Sequence, residues 1–487
     1  MQVADHHTTE NRKPTLVLLV PDGIGVRNYL FTDVLKYLQQ AGIQLVLLHR
    51  LAPSVVAQVA QLHPDTFNTV YLPDIAESRS ADLLRRLCMF IRMHRNAKTL
   101  NNKSIADNWF FFSTQKGRKK ILFQLMNMLA GLLAKVAWMS DMSEAWLRRK
   151  MLNDDAGKSY ASLLQQLKPD MMLCTHQRSI EAGYAMSVAN TLGIHTCSVV
   201  FSWDNLPKTR MTYEAKDWLV WSNWMKDEFC LLYPKINTAN IHVTGTPQFD
   251  AYYNTALYWT KERFHECFGT KGKKHVFCFS GNEPSFPSDH LYLLDVLMQL
   301  SKLAEAKDCV VLVRPSPNDY SGRLEAVVER FPDLAIVARP LWKREGNRDW
   351  ETNIPTPEDE AVLVNLVLHC DALFNIGSTM NLDFAHHNKP AINFAYNHPD
   401  CPGFDITQGY LQEHLKTWDG LNAVVMLHKK DDLNSLLPQL ISAPHLLAPD
   451  KLRWKKIITD DIYPASEKLA NCVLKLMQQR TTTSLFK

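Results

Sequence analysis

What this sequence lacks narrows it first. Its ten cysteines form no CxxC pair, and several (Cys174, Cys197, Cys278, Cys309) sit inside apolar runs. That pattern argues against a disulfide framework or a zinc site and for reduced, buried thiols in a cytoplasmic protein. Concentrated charge is missing as well: 54 basic against 50 acidic residues leave +4 on 487, which speaks against a dedicated nucleic-acid binder. There is no full GxGxxG fingerprint, only Gly23-Ile24-Gly25 after an apolar run. No short repeat period appears. The polar start, Met1 to Lys13, has no apolar core of a secretory signal and reads as a disordered lead-in, with His6-His7 a solvated pair. An uninterrupted apolar span is absent too. The one contender, Ile121 to Met139, contains Gln124, Asn127 and Lys135 and is a poor spanning segment. Lys116, Arg118, Lys119 and Lys120 precede it, so it reads either as a core helix under a basic loop or as a helix lying on a membrane surface.

What is present follows the grammar of parallel α/β structure. Thr15 to Val20 is a fully apolar strand that ends in Pro21-Asp22-Gly23-Ile24-Gly25. A helix is expected from about Asn28 to Gln40, then a strand from Gln44 to Leu48, so the chain opens as a βαβ unit. A third strand is expected at Thr69 to Leu72, and a long helical stretch over Ala81 to Leu167. Strands resume at Met171 to Cys174, ending in Thr175-His176-Gln177-Arg178, and at His195 to Phe201, ending in Ser202-Trp203-Asp204-Asn205. Asp217 to Trp221 and Ile241 to Val243 complete the half. In open α/β sheets ligands bind beyond the carboxyl ends of the strands. Asp22, His176 and Asp204 all fall there.

A polar Gly/Lys stretch, Phe268 to Lys274, marks a domain boundary. The second unit begins with His275 to Phe279 and the turn Ser280-Gly281-Asn282. Cys309 to Val313 leads to Arg314-Pro315-Ser316-Pro317, and Leu334 to Val337 is the next strand. A helix is expected from about Glu358 to His369. Ala372 to Asn375 then reads as a buried strand broken by Gly377. Ser378 or Thr379 is placed to cap a helix that carries Asp383 one turn later. Such a turn presents backbone N–H groups and hydroxyls to one point, an arrangement suited to a diphosphate. The expected organisation is a lead-in over 1–13, one Rossmann-like domain over 14–270, a second over 271–460, and a closing helix and tail over 461–487. Length alone agrees, since one core rarely exceeds about 250–300 residues.

The motifs Ser202–Pro207 (SWDNLP), Val243–Asp250 (VTGTPQFD), Val313–Pro317 (VRPSP) and Asn375–Asp383 (NIGSTMNLD) resemble, in that order, bacterial surface-polysaccharide glycosyltransferases of the GT-B fold and the related CDP-glycerol glycerophosphotransferases. The resemblance covers roughly residues 15 to 400. It implies two doubly wound Rossmann-like domains facing a central cleft, with the acceptor on the first and a nucleotide-sugar donor on the second. It further implies that Ser378 and Thr379 hold the donor diphosphate, with Asp383, Arg314 and Gly281 beside it. Asp22 would be the base, with His176 and Asp204 in reserve. Trp342 or Trp350, in the loop Pro340 to Trp350, would stack on the nucleobase. Ser316 stands where the glycerophosphotransferases resemble histidine, and Gly377-Ser378-Thr379 replaces their Tyr-Ser-Ser, which favours a sugar over a CDP-polyol donor. The Ser-Gly-Gly turn and following Glu of the epimerase branch are absent. No convincing DxD motif is found, so no metal and no cofactor are expected beyond the nucleotide-sugar substrate. The expected function is sugar transfer to a glycan or lipid-linked acceptor in cell-surface polysaccharide or lipopolysaccharide assembly, in the cytoplasm and peripherally at the inner membrane face. The alternatives are a polyol-phosphate transferase of the same fold and a non-catalytic nucleotide-sugar-binding scaffold.

Overall fold

A computed structural model describes residues 12–73, 77–209, 211, 213–344 and 353–485, with side chains described to residue 479. The lead-in expected over 1–13 lies outside the described residues except for its last two positions.

The first sheet has seven parallel strands: β1 (Thr15–Val20), β2 (Gln44–His49), β3 (Phe67–Tyr71), β4 (Met171–Cys174), β5 (His195–Val199), β6 (Asp217–Val220) and β7 (Ile241–Val243). Their order is β3-β2-β1-β4-β5-β6-β7. The second sheet has six: β8 (His275–Ser280), β9 (Cys309–Arg314), β10 (Ala335–Val337), β13 (Ala372–Asn375), β14 (Ala391–Phe394) and β15 (Val425–Leu427), in the order β10-β9-β8-β13-β14-β15. Between them in sequence, β11 (Trp342–Arg344) and β12 (Asn353–Pro355) pair antiparallel.

The central strands are apolar along their whole length because helices cover both faces. Every residue of β1, β4, β9 and β13 is buried. At about 1.5–3 kcal/mol for each fully buried aliphatic side chain, this burial dominates the stability of both halves. Strand order reverses between β1 and β4 in the first sheet and between β8 and β13 in the second. A crevice opens at such a switch point. Leu19 is in register with Cys174, and Phe279 with Phe374. The turns after β1 and β4 therefore lie side by side, as do those after β8 and β13.

Three features depart from the sequence expectations. The helix expected from Asn28 is broken into a turn at Gly23–Gly25, a wider π-type turn at Val26–Leu30 and a helix at Val34–Gln40. The strand β15 and the helices Leu433–Ser442 and Lys451–Thr459 were not foreseen. The closing helix, expected from about Ala465 to Gln479 and found over Ala465–Leu485, packs on the first half. Its Leu469, Ala470 and Val473 are buried in one cluster with Leu16, Leu18 and Val20 of the first sheet. Asp250, the last residue of the VTGTPQFD motif, accepts hydrogen bonds from the amides of Ala465 and Ser466, both 2.8 Å, and so caps that helix.

Candidate active site at two switch points

Asp22 has extended backbone (φ −150°, ψ 173°) and caps the turn behind it. Its Oδ1 accepts from the amides of Ile24 (3.1 Å) and Gly25 (2.9 Å), and its Oδ2 pairs with Nδ1 of His176. Both side chains are 2% exposed. Burial alone would push the Asp22 carboxyl up. The His176 charge and hydrogen bond and the two amides outweigh it and hold the group below its ordinary range. The Thr175 hydroxyl donates to the Leu19 carbonyl (2.9 Å), which fastens the two turns together. The sequence placed Asp22 and His176 at strand ends, and the structure joins them into one dyad. Asp204 sits with other partners: Lys208 (2.5 Å), Asn205 (2.9 Å) and the neighbouring His414. Burial opposes its ionisation, but the Lys208 charge prevails and its pKa is driven far down, so it is a poor proton acceptor.

Across the cleft, Gly281 donates its amide to the Arg314 carbonyl (2.9 Å), closing the turn after β8 on the end of β9. Arg314 is buried. Its Nη2 donates to both oxygens of Asp359 (3.0 and 2.8 Å), which also accepts from the Leu341 amide (2.8 Å) and from Trp342 Nε1 (2.7 Å). Asp359, in the first turn of the helix Pro357–His369, thus already matches much of the charge that was expected to serve a donor. Arg314 Nη1 is buried with no acceptor among the described residues. Trp342 is fixed by Asp359 on its indole edge. Trp350 lies outside the described residues.

In the turn after β13, Gly377 takes a positive φ of 67°, a conformation that costs a residue bearing a Cβ. Asn375 organises this turn: its Oδ1 accepts from the amides of Gly377 (2.7 Å) and Ser378 (3.3 Å), and its Nδ2 donates to Asn381 (2.6 Å). Ser378 Oγ accepts from the Met380 amide at 3.1 Å. The expectation of free amides here is therefore corrected at three positions, because side chains of the turn satisfy them. What stays available is the Ser378 hydroxyl proton and the exposed Thr379, which makes no side-chain cap. Asp383 is buried one turn on. Burial raises its pKa to about 6, partly offset by the charge of Arg27, the nearby Tyr252 hydroxyl and the charge of Arg314.

Arg27 is the link that sequence reading missed. It follows the Asp22 turn by five residues yet acts on Asp383 of the opposite half. With Gln248, Tyr252, Thr356 and Glu360 it lines a crevice between the halves. The Glu360 carboxyl there is raised to about 7 by burial, with Arg27 opposing. Contact is direct elsewhere too. A Cβ on Gly23 would lie 2.4 Å from the Asn353 carbonyl oxygen, and Asn353 Nδ2 donates to Asn318 Oδ1 (2.8 Å), just past the Arg-Pro-Ser-Pro turn. An arginine just behind a glycine turn was a legible signal for Arg27. Asp359 and Asn375 carried none beyond polarity at an element's end.

No protein-family model and no curated protein matches the sequence. Solved structures do match the fold. A glycosyltransferase from Rickettsia africae aligns over 96% of this chain and 98% of its own, with a TM-score of 0.52 and 11% identity. The UDP-GlcNAc 2-epimerase of Methanocaldococcus jannaschii aligns over 95% and 99%, with 0.52 and 11%. That of Neisseria meningitidis, bound to UDP-GlcNAc, aligns over 95% and 100%, with 0.50 and 10%. At such identities the likeness concerns the fold, and the fold is that of GT-B proteins: two Rossmann-like domains with parallel sheets.

Proposed function

We propose that this chain is a nucleotide-sugar-dependent glycosyltransferase, acting on a glycan or lipid-linked acceptor in cell-surface polysaccharide assembly. The observation that carries the reading is the arrangement at the cleft. A buried Asp–His dyad ends one sheet, a Gly-Ser-Thr turn ends the other, and the charge of Arg27 beside the first bears on Asp383 behind the second. The neighbours named for a glycosyltransferase and for UDP-sugar binding support the donor class.

Transfer requires a base for the acceptor hydroxyl and stabilisation of the leaving diphosphate. Both carboxylate oxygens of Asp22 are engaged, and its basicity is lowered. We therefore assign proton acceptance to His176, with Asp22 fixing the ring and stabilising the imidazolium that forms. The proton leaves the acceptor oxygen as that oxygen bonds to the anomeric carbon, and the bond from this carbon to the diphosphate breaks. Ser378, Thr379, Arg27 and the free edge of Arg314 receive the departing charge. The Gly377-Ser378-Thr379 turn, unlike the Ser-Gly-Gly of the epimerase branch, is the reason to read transfer rather than epimerisation.

The test is a thermal-shift screen of the full chain against UDP-, GDP-, CMP-, CDP- and dTDP-linked sugars, followed by donor turnover. A ligand at a hundred times its Kd adds about 2.7 kcal/mol of stability. Binding with slow donor hydrolysis or transfer is the expected result. Binding without turnover would replace the reading by a scaffold, and conversion of UDP-GlcNAc to its C2 epimer would replace it by an epimerase.

A further inference from the structure

We infer that the outer face of the helix Gly117–Leu133 docks on an anionic lipid surface. The helix belongs to the helical insert between β3 and β4. Its inner face, with Phe123 and Ala130 buried, packs on Phe90 and Ile91 of the helix Arg79–Thr99. Its outer face is also apolar. Ile121, Leu125, Met128 and Leu132 follow one another at helical spacing and are 59–69% exposed. A contiguous apolar stripe of this kind on a folded chain marks an interaction surface.

Charge selects the occupant. The helix contains no acidic residue. Lys116, Arg118, Lys119 and Lys120 stand at its start, and among the described residues no ion pair joins them to an acid. Lys135 and the exposed Trp138 stand just beyond its end. A bilayer interface is apolar a few ångströms in, anionic at the headgroups and receptive to indole rings, and each property meets a counterpart here. No helix among the described residues is long and apolar enough to cross a membrane. The geometry is therefore that of a helix lying in the interface plane.

The same insert reaches the second half. Trp109 packs at a tilt on Phe404 and Phe110 stacks on Phe286, each at 5.0 Å, and Asn102 donates to the Leu411 carbonyl at 3.1 Å. A docked insert would hold the cleft mouth near the lipid surface, where a lipid-linked acceptor resides. The docking itself stands on exposure and charge and does not depend on the reaction above.

The test is flotation of the full chain with vesicles of neutral phosphatidylcholine or of phosphatidylcholine with phosphatidylglycerol. Recovery with the anionic vesicles should be strong and weakened by salt, each basic residue near the surface contributing about fivefold in partition. Leu125→Asp/Met128→Asp should lower partition by about tenfold or more while the melting temperature holds, since both sites are exposed. Lys119→Glu/Lys120→Glu should remove the preference for anionic vesicles. Equal recovery with both vesicle types would overturn the inference. So would a wild-type dimer, measured by light scattering, that the Asp variant converts to monomer without any vesicle binding: the face would then belong to a second copy of the chain.

Discussion

At the first switch point Asp22 and His176 are each 2% exposed and satisfy one another. At the second, Ser378 is half-buried, Thr379 is exposed, and the turn is held from beneath by Asn375. One side is a closed, hydrogen-bonded dyad with a fixed geometry, suited to moving a proton. The other leaves the Ser378 hydroxyl proton and the exposed Thr379 available, with Arg314 and Asp383 buried in the same half. Under the function proposed above, the acceptor would be activated on one sheet and the donor's charge received on the other. Both arise from the same local grammar, an apolar strand followed by a polar turn.

The comparison can be broken from either side. His176→Gln should lower turnover by about two to four orders of magnitude with donor affinity nearly unchanged, read by single-turnover kinetics beside calorimetry. Asp22→Asn should lower turnover as well, because the ring loses the carboxylate that fixes its orientation. If His176→Gln stays active while Asp22→Asn does not, the base is Asp22 and the assignment within the dyad reverses.

On the opposite side, Ser378→Ala/Thr379→Ala should weaken donor binding by about two to four orders of magnitude, since hydrogen bonds to a charged group are worth about 1.5–3 kcal/mol each. The same variant should cost the ligand-free protein only about 1 kcal/mol of stability. A variant that melts lower yet binds donor unchanged would reduce the stretch to a capped helix.

Asp359→Ala separates support from binding. It strands Arg314 as a buried cation, a loss of about 3–5 kcal/mol in urea unfolding, whereas the exposed Thr379→Ala alone should stay within about 0.5 kcal/mol.

The last effect is a pH signature. Asp383 has a folded-state pKa of about 6 against an ordinary 3.8, so the folded chain holds this proton more tightly than the unfolded one. The stability it contributes is present below about pH 4 and is lost as pH rises through about 6. Asp383→Asn should leave the ligand-free unfolding free energy nearly unchanged near pH 4 and raise it by about 3 kcal/mol near pH 8. An equal effect at both pH values would show that burial does not hold the proton.

The sequence by itself determined the central strands, their polar turns and the two-domain plan, because a strand buried on both faces must be an apolar run and the turn that ends it must be polar or glycine. Val20 followed by Asp22, Cys174 by His176, and Asn375 by Gly377 were legible for that reason. It also determined the apolar character of Gly117–Leu133, though not which of its faces is covered. Strand order came only from the tertiary structure, since it depends on contacts far apart in sequence. That order put Asp22 against His176 and left Asp204 to Lys208. It gave Arg314 to Asp359, brought Arg27 to Asp383, and drew the closing helix into the first core. Asp22 with His176, Arg314 with Asp359, and the closing helix with the first sheet are contacts across 45 or more residues; Arg27 acts on Asp383 through its charge, and Asp204 and Lys208 are neighbours on one turn. A sequence shows that a buried charge needs a partner, but the fold alone chooses which one.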